Sequence, residues 1–368
     1  MRILAIDMGT GTQDILLFDS SGPVENSVKM VMPSATKIAE GRIRRATATG
    51  RPVVLTGVIQ GGGPCHWALE DHLRAGGGAF ATPKAAQTFD DDLEEVARMG
   101  IRVVSDDEAA RVPGAEHIEL KDLDLPAIRA ALAAFDVSPE FEGLALACLD
   151  HGAAPSGYSD RLFRFEHLRR VVGQRNDLTA FAMLPGDIPD YLTRARTMVA
   201  TARRQDGAVP IVFLDTGPAA ALGALQDPRV AAEQMQAVLN LGNMHALAFH
   251  LRGTEIVSLY EHHTGEMTRE QIEDFTERLL TGALLHEEVF NSKGHGVFYA
   301  EGARPVAAPG IVAVTGPQRG KIRGSRLQPY FATPYGDMMI SGCFGLLRAF
   351  AAKYPAAAPE IDAALAVT

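Results

Sequence analysis

Apolar residues along this chain come in short runs that alternate with polar turns containing glycine. The runs at residues 3–6 and 15–18 flank the segment DMGTGTQD and predict a β-hairpin. The segment 238–251 repeats this layout around Gly242, and the run at 255–260 extends it to a three-stranded meander. Further apolar runs predict strands at 28–32, 53–60, 101–104, 143–149, 210–214 and 310–314.

Stretches with helical periodicity lie between and after these strands. They are at residues 67–73, 93–99, 125–135, 190–204, 268–285 and 337–354. Thr268 and Gln271 form a capping-box pattern at the start of one helix. The glycine turn at 61–63 lacks the GK[ST] ending of a P-loop, so we interpret it as structural. The Ala-rich tail after Pro355 predicts a peripheral segment.

The turn of the first hairpin carries groups suited to a phosphate. Gly9 and Gly11 allow positive φ and close approach of the backbone, while Thr10 and Thr12 offer hydroxyl and N–H groups. Asp7, at the end of the first strand, is placed to hold a divalent cation. A simple tight turn is the alternative, but a plain hairpin needs only two loop residues and this loop reads as longer.

Polar residues also follow two of the predicted buried strands. Asp150 and His151 end one strand, and Asp215 and Thr216 end another. Ligands bind at this end of the strands in open α/β sheets, and a carboxylate beside an imidazole suits general-base chemistry. For Asp150, an Asx cap of a turn is an equally good interpretation.

The remaining candidates are cationic or aromatic. His262 and His263 are adjacent and point to opposite sides of a strand, which favours one catalytic or substrate-binding histidine over a metal-binding pair. The basic, aromatic segment at residues 156–170 predicts the start of a helix with a solvated face, and Arg161 within it is a weaker candidate for binding an anion. His286 and His295 belong to a polar loop to which the sequence assigns no role.

Composition limits the class of protein. A chain of 368 residues exceeds the size at which one core keeps growing, so we expect two lobes. The net charge of −10 disfavours nucleic acid as a partner. Cys65, Cys148 and Cys343 are far apart in sequence, which excludes the usual zinc ribbons and cysteine-held iron–sulfur clusters within one chain. Asp7 interrupts the first apolar run too early for a signal peptide, and no 18 apolar residues run together, so we expect a cytoplasmic protein without a membrane partner.

Taken in order, these segments resemble the superfamily of acetate and sugar kinases, heat-shock ATPase chaperones and actin. Residues 7–12 (DMGTGT) look like its first phosphate motif and 240–245 (NLGNMH) its second, while 314–317 (VTGP) resemble its adenosine motif. Residues 214–225 and 336–347 resemble the two helices that connect its lobes. Within the superfamily, the chain is most similar to a prokaryotic family labelled as related to the pyruvate formate-lyase activating enzyme. A radical-SAM activase needs three closely spaced cysteines, so we do not expect that chemistry.

The resemblance implies a two-lobed α/β fold of the actin-like ATPase (ribonuclease H-like) type. Its mixed sheets would be flanked by helices, with lobes at residues 1–225 and 226–368, the last helix packing back towards a cleft that holds ATP and Mg²⁺. It implies a phosphotransferase or ATPase acting on an unidentified small molecule or partner. The resemblance also implies site residues. The catalytic groups would be Asp7, Asp150, His151 and Asp215, with Asp7 also the Mg²⁺ ligand, and the substrate contacts would be His263 and Arg161. The ATP contacts would be Gly9, Thr10, Gly11, Thr12, Thr216, Gly242, Asn243, Gly316 and Pro317.

The second phosphate motif departs from the superfamily pattern. That motif normally begins with Asp and continues Gly-Gly-Gly-Thr, whereas this chain has Asn240 for the acid and Asn243, Met244 and His245 for the last three positions. Asn240 can neither act as a base nor give a full charge to Mg²⁺. Two alternatives therefore stay open: a non-catalytic or regulatory anion-binding protein, and an enzyme of other group-transfer chemistry. The sequence also leaves a homo-oligomeric state open.

Overall fold

Strands of three sheets alternate with helices along the chain. The computed structural model describes residues 1–207, 209–301 and 308–366. Its strands are β1 (Arg2–Met8), β2 (Thr12–Asp19), β3 (Val28–Pro33), β4 (Val53–Gly57), β5 (Ala79–Ala81), β6 (Arg102–Val103), β7 (Glu116–Leu120), β8 (Gly143–Cys148), β9 (Ile211–Asp215), β10 (Gln236–Leu241), β11 (His245–Arg252), β12 (Glu255–His263), β13 (Gly296–Tyr299), β14 (Ile311–Thr315) and β15 (Tyr330–Phe331).

Helices connect and cover these strands. They are α1 (Ala35–Ala48), α2 (Pro64–Arg74), α3 (Pro83–Ala86), α4 (Leu93–Arg98), α5 (Asp106–Ala110), α6 (Leu125–Ala133), α7 (Asp160–Gln174), α8 (Thr193–Gln205), α9 (Thr216–Ala224), α10 (Pro228–Ala231), α11 (Arg269–Leu280), α12 (His286–Asn291), α13 (Ser341–Lys353) and α14 (Ala358–Leu365). The capping box that opens α11 is confirmed. The helix is shorter than predicted because Gly282, with φ of 73°, turns the chain away just after it.

The two large sheets share one strand order. The first-lobe sheet has the order β3-β2-β1-β8-β9, and the second-lobe sheet has the order β13-β12-β11-β10-β14-β15. In each, an antiparallel meander comes first, and two later strands continue the sheet in parallel beyond the meander's first strand; they are β8 and β9 in the first sheet and β14 and β15 in the second. The second sheet has one further strand, β13, at its other edge. This duplicated topology confirms the two-lobed actin-like ATPase fold. The predicted boundary at residue 225 falls directly after α9, and the exact extent of each lobe stays a prediction.

A third sheet, the insert sheet, interrupts the first lobe between β3 and β8. It is parallel, has the order β6-β5-β4-β7, and is flanked by α1 to α5. Its helices and strands share a core of their own, with Ile43, Val53, Leu69 and Ile118 fully or almost fully buried. The sequence predicts two of its strands but does not identify it as a separate unit.

Helices α9 and α13 cross with almost no side chains between them. A Cβ atom placed on Gly223 of α9 would lie 1.7 Å from the carbonyl oxygen of Ser341, and one on Gly345 of α13 would lie 1.9 Å from that of Ala219. These are the two segments predicted as connecting helices, and α13 also packs against β1 and β8 of the first lobe. Glycine at both faces therefore lets the lobes meet backbone to backbone.

The Ala-rich tail is not peripheral, so that prediction is wrong. Ile361 and Leu365 of α14 are buried in the main core, and the hydroxyl of Tyr335 donates to the carbonyl of Leu365 over 2.8 Å. These two apolar residues are four positions apart and form one face of the helix.

Within the described ranges, no helix combines the length and the apolar character that crossing a bilayer requires.

We expect Gly345→Ala to lower the free energy of unfolding by about 1–3 kcal/mol, because the added methyl group would overlap a backbone carbonyl of α9. The matched control is Gly173→Ala in α7, where a Cβ atom meets nothing within 4 Å. That change removes backbone freedom from the unfolded chain and should stabilise by about 0.5–1 kcal/mol. Urea unfolding of both variants measures the difference, and equal effects would contradict the close crossing.

Candidate active site

The first hairpin turn, residues 9–12, is tighter than the sequence predicts. The N–H of Gly9 donates to the carbonyl of Thr12 over 2.9 Å, which leaves Thr10 and Gly11 as a two-residue loop. The prediction of a longer loop is wrong because Gly9 and Thr12 continue the ladder between β1 and β2. Among the described residues, the N–H groups of Thr10 and Gly11 have no acceptor, so both are available to a ligand.

The second hairpin turn, residues 242–245, has the same backbone arrangement. The N–H of Gly242 donates to the carbonyl of His245 over 3.0 Å, and Asn243 and Met244 form the two-residue loop. Their N–H groups likewise have no acceptor in the part of the chain that the structure describes. The altered side chains of this motif have therefore left its turn intact.

The two turns lie face to face. A Cβ atom on Gly11 would lie only 2.3 Å from Nδ2 of Asn243, so the side chain of Asn243 in the second turn packs directly against the backbone of the first. The side chain of Asn243 accepts a hydrogen bond from Nε2 of Gln318 over 3.1 Å. Gly316, with φ of 94°, packs beneath the second turn, where a Cβ atom would lie 2.4 Å from the carbonyl oxygen of Leu241. The structure thus brings the predicted phosphate and adenosine segments together, with Pro317 exposed beside them.

Two carboxyl groups lie below the first turn. Asp7 and Asp14 are directly opposite in the register of β1 and β2, so their side chains share one face of the sheet. The hydroxyl of Thr216 donates to Oδ1 of Asp7 over 2.8 Å. Burial, and then the nearby charge of Asp14, raises the pKa of Asp7 to about 8, while burial raises the pKa of Asp14 to about 7. Oδ1 of Asp14 is buried without a hydrogen-bond partner among the described residues.

Arg164 of α7 is a fully buried cation that links the lobes. Its Nη2 donates to Oδ1 of Asp215 over 3.0 Å, and its Nε donates to Oε2 of Glu261 over 3.2 Å. Asp215 ends β9 in the first lobe, whereas Glu261 lies on β12 in the second. Burial opposes ionisation of Glu261, yet the charges of Arg164 and nearby histidines hold its pKa well below the usual value.

The predicted candidates at the strand ends are already engaged by the fold. Besides its ion pair, Asp215 accepts from the N–H of Gly217 over 3.0 Å and caps α9. Asp150 accepts from the N–H groups of Gly152 and Ala195 over 2.8 and 2.9 Å, which favours the Asx-cap interpretation. Arg161 donates to the carbonyl oxygen of Gly294 over 2.6 Å and stacks on an aromatic ring, so it holds the segment before β13.

Four imidazoles converge beside the second turn. Nε2 of His151 and Nε2 of His295 are 3.5 Å apart. The centre of the His245 ring lies 5.0 Å from the centres of both those rings. The centre of the His263 ring lies 4.9 Å from that of His245 and 4.7 Å from that of His295. Nδ1 of His245 contacts Oε1 of Glu261 at 3.1 Å. Burial lowers the pKa of His263 to about 4 and that of His151 well below its usual value, so these rings are neutral at pH 7.

A cavity of about 930 Å³ opens between the two turns and the insert sheet. The first lobe contributes Gly9, Thr10 and residues 149–152, and the second lobe contributes Met244 and His245. The glycine turn at 61–63 and residues 87–93 of the insert form the opposite wall. The turns, the imidazoles and the insert therefore share one space.

Four residues of the site emerge only from the structure: Arg164, Glu261, Asp14 and His295. Arg164 lies in a helix whose basic residues read as a solvated face, and its partners are 51 and 97 positions away in sequence. The position of Asp14 could have been predicted from the sequence, because a two-residue turn at Thr10 and Gly11 places Asp14 directly opposite Asp7 in the hairpin.

We expect Arg164→Met to lower the free energy of unfolding by about 3–5 kcal/mol, because it leaves two buried carboxylates without their cation. Arg169→Met on the exposed side of α7 is the control and should change it by less than about 0.5 kcal/mol. Denaturant unfolding followed by circular dichroism measures both, and a mild effect of Arg164→Met would contradict the buried pairing.

The chain is similar to an exopolyphosphatase from Cytophaga hutchinsonii (10% identity, 86% of this chain and 66% of that chain, TM-score 0.31). It is also similar to a Ppx/GppA family protein from Aquifex aeolicus (12% identity, 86% of this chain and 66% of that chain, TM-score 0.30). A third similar structure is a Listeria monocytogenes protein named as "a putative N-acetylmannosamine kinase" (10% identity, 96% of this chain and 99% of that chain, TM-score 0.37). The chain spans just under two thirds of the length of the first two. The fold assignment rests on the strand order rather than on these scores.

No curated protein sequence matches the chain. The model of the family described as "Putative pyruvate format-lyase activating enzyme (DUF1786)" matches residues 60–321. The three cysteines, Cys65, Cys148 and Cys343, are buried in three different hydrophobic cores, so they do not form a cluster of neighbouring thiols. The match covers most of the chain and includes the second hairpin turn and all four histidines of the cluster, and the protein therefore belongs to the DUF1786 family.

Proposed function

We propose that the protein is a Mg²⁺- and ATP-dependent phosphotransferase or ATPase that acts on a small molecule held in the cavity. One observation carries this proposal. Two hairpin turns of the same shape face each other, and within the described residues each leaves two backbone N–H groups without an acceptor. Convergent N–H groups of this kind bind and stabilise phosphate oxygens.

The phosphates would be bound from both lobes. Thr10 and Gly11 would donate from the first turn, and Asn243 and Met244 from the second. The hydroxyl of Thr12 and the turn at Gly316 are further candidate contacts, the first for a phosphate and the second for the base. Because each lobe supplies half of the donors, the bound phosphates would connect the two lobes.

Asp7 and Asp14 fit a hard divalent cation. Asp7 is buried and Asp14 is half-buried, both have raised pKa values, and Oδ1 of Asp14 is a buried oxygen without a partner among the described residues. Carboxylate oxygens are the ligands that Mg²⁺ prefers. When bound, Mg²⁺ would offset the negative charge of the phosphates during transfer.

The acceptor would lie in the cavity on the side of the insert. Both carboxylates, Asp150 and Asp215, already accept hydrogen bonds from the fold, so we assign them to support of the site rather than to catalysis. His151 and His245 line the cavity and are the side chains placed to interact with the acceptor. His263 lies behind them, in ring contact with His245.

A non-catalytic anion-binding protein is the second candidate, and Asn240 and Met244 favour it. Asn240 replaces a carboxylate, and Met244 lines the cavity at the second turn. The double variant Asn240→Asp, Met244→Gly distinguishes the two candidates. If ATP hydrolysis is absent from the natural protein and appears in the variant, the natural protein is not an ATPase.

Isothermal titration should show binding of Mg–ATP by the natural protein and binding at least about tenfold weaker by Asp7→Asn, since one cation ligand loses its charge. Asp19→Asn, at the opposite end of the same hairpin, is the control and should bind as the natural protein does. Absence of binding up to millimolar Mg–ATP would refute the proposal.

The stability of the metal-free protein should depend on pH through Asp7. Its pKa is raised in the folded state to about 8, so its contribution is complete below the unfolded value near 4 and is lost as pH rises towards 8. Urea unfolding between pH 5 and 8 should therefore show a steeper loss for the natural protein than for Asp7→Asn. Added Mg²⁺ should restore stability at pH 8 only in the natural protein. Parallel pH profiles would show that Asp7 does not titrate in this range.

A further inference from the structure

The histidine cluster has a geometry that neither the fold nor the binding of a phosphate would require. One ring nitrogen from each of His151, His245 and His295 can be chosen so that all three lie within 4.8 Å of one another. These residues come from three separate segments: the end of β8, the start of β11 and the approach to β13. The lobes must be together for the three nitrogens to meet.

We propose that His151, His245 and His295 bind one divalent transition-metal ion, of the class of Zn²⁺, Co²⁺ or Fe²⁺. Zn–N bonds are about 2.0–2.1 Å, so two nitrogens on one tetrahedral ion lie about 3.4 Å apart. The 3.5 Å between Nε2 of His151 and Nε2 of His295 matches that spacing. Imidazole ligands suit these ions rather than Mg²⁺, so this site is distinct from the carboxylates of Asp7 and Asp14.

The surroundings of the three imidazoles support a cation. Nδ1 of His245 contacts a carboxylate oxygen of Glu261, which orients the ring and leaves its Nε2 for the metal. The buried ionic group beside it contains two carboxylates, Asp215 and Glu261, and one guanidinium, Arg164, and therefore carries a net charge of −1. A positive ion next to this group would be favourable.

The ordinary alternative is a set of histidines that serve only to pack the core. His295 argues against it, because the residue is fully buried and its Nδ1 has no hydrogen-bond partner among the described residues. Two imidazole nitrogens facing each other across 3.5 Å also gain at most one hydrogen bond. Unless an ion binds between them, the ring nitrogens of His151 and His295 therefore satisfy little of their hydrogen-bonding capacity.

An ion at this position would have one open side towards the cavity. His151 and His245 line the cavity, whereas His295 lies behind them in the protein. Three protein ligands and one exchangeable position are typical of catalytic zinc sites, in which the ion polarises an oxygen of water or substrate. The site would thus take an oxygen ligand of the molecule held in the cavity. This inference does not depend on whether that molecule is phosphorylated.

The test uses the full chain without a polyhistidine tag, stripped of metal by a chelator and then titrated with Zn²⁺ and with Co²⁺. We expect the natural protein to bind one equivalent of either ion, with the intense visible absorption of four-coordinate Co²⁺ and a rise in Tm. His295→Gln and His151→Gln should bind at least about 100-fold more weakly and lose the absorption band. The control is His117→Gln, at an exposed position of β7, which should behave as the natural protein does.

Several outcomes would overturn the proposal. They are absence of stoichiometric binding by the natural protein, unchanged binding in both cluster variants, and equal loss in His117→Gln. If His295→Gln does not fold, as judged by circular dichroism, His151→Gln decides, because its side chain is only half-buried. The variant Asp7→Asn should keep the Co²⁺ absorption spectrum. If that variant lost the spectrum while His295→Gln and His151→Gln kept it, the ion would be bound by the carboxylates instead. A failed Mg–ATP titration leaves this result unaffected.

Discussion

Arg164 joins the two large sheets through buried ion pairs. A single buried guanidinium bonds to Asp215 from one sheet and Glu261 from the other. Removing a charge from water is costly unless partners satisfy it, so the arrangement exists only when the two lobes are in contact. Through Asp215 it fixes the start of α9, and through Glu261 it orients His245 beside the second turn. One side chain thereby positions both halves of the candidate site.

The second hairpin turn shows how a binding site can keep its backbone while its side chains change. Asn243, Met244 and His245 have replaced residues that the superfamily pattern would place there, yet the hydrogen bond that closes the turn is retained. Phosphate recognition by N–H groups does not require particular side chains. What the substitutions change is the neighbourhood of the turn, where Met244 enters the cavity and His245 joins three other imidazoles.

Local pattern predicted most of the fold, because alternating runs of apolar residues specify strands and glycine turns specify their ends. The first hairpin and the meander around Gly242 were predicted this way, whereas the two connecting helices were identified from the resemblance to the superfamily. The sequence predicted less well which residues distant in the chain come together in the fold. The sequence assigned no role to His295, which meets His151 only when β8 and the approach to β13 come together from 144 positions apart. Arg164 was read as part of a solvated face because burial of a charge depends on partners distant in sequence.

The insert sheet has a consequence for how such a protein could diversify. It contains its own core and forms one wall of the cavity, while the two hairpin turns belong to the other sheets. Loops at 61–63 and 87–93 could therefore be lengthened or exchanged without straining the strands that carry the turns. The size of the accepted molecule and the chemistry performed on it would then be set by physically separate parts of the chain.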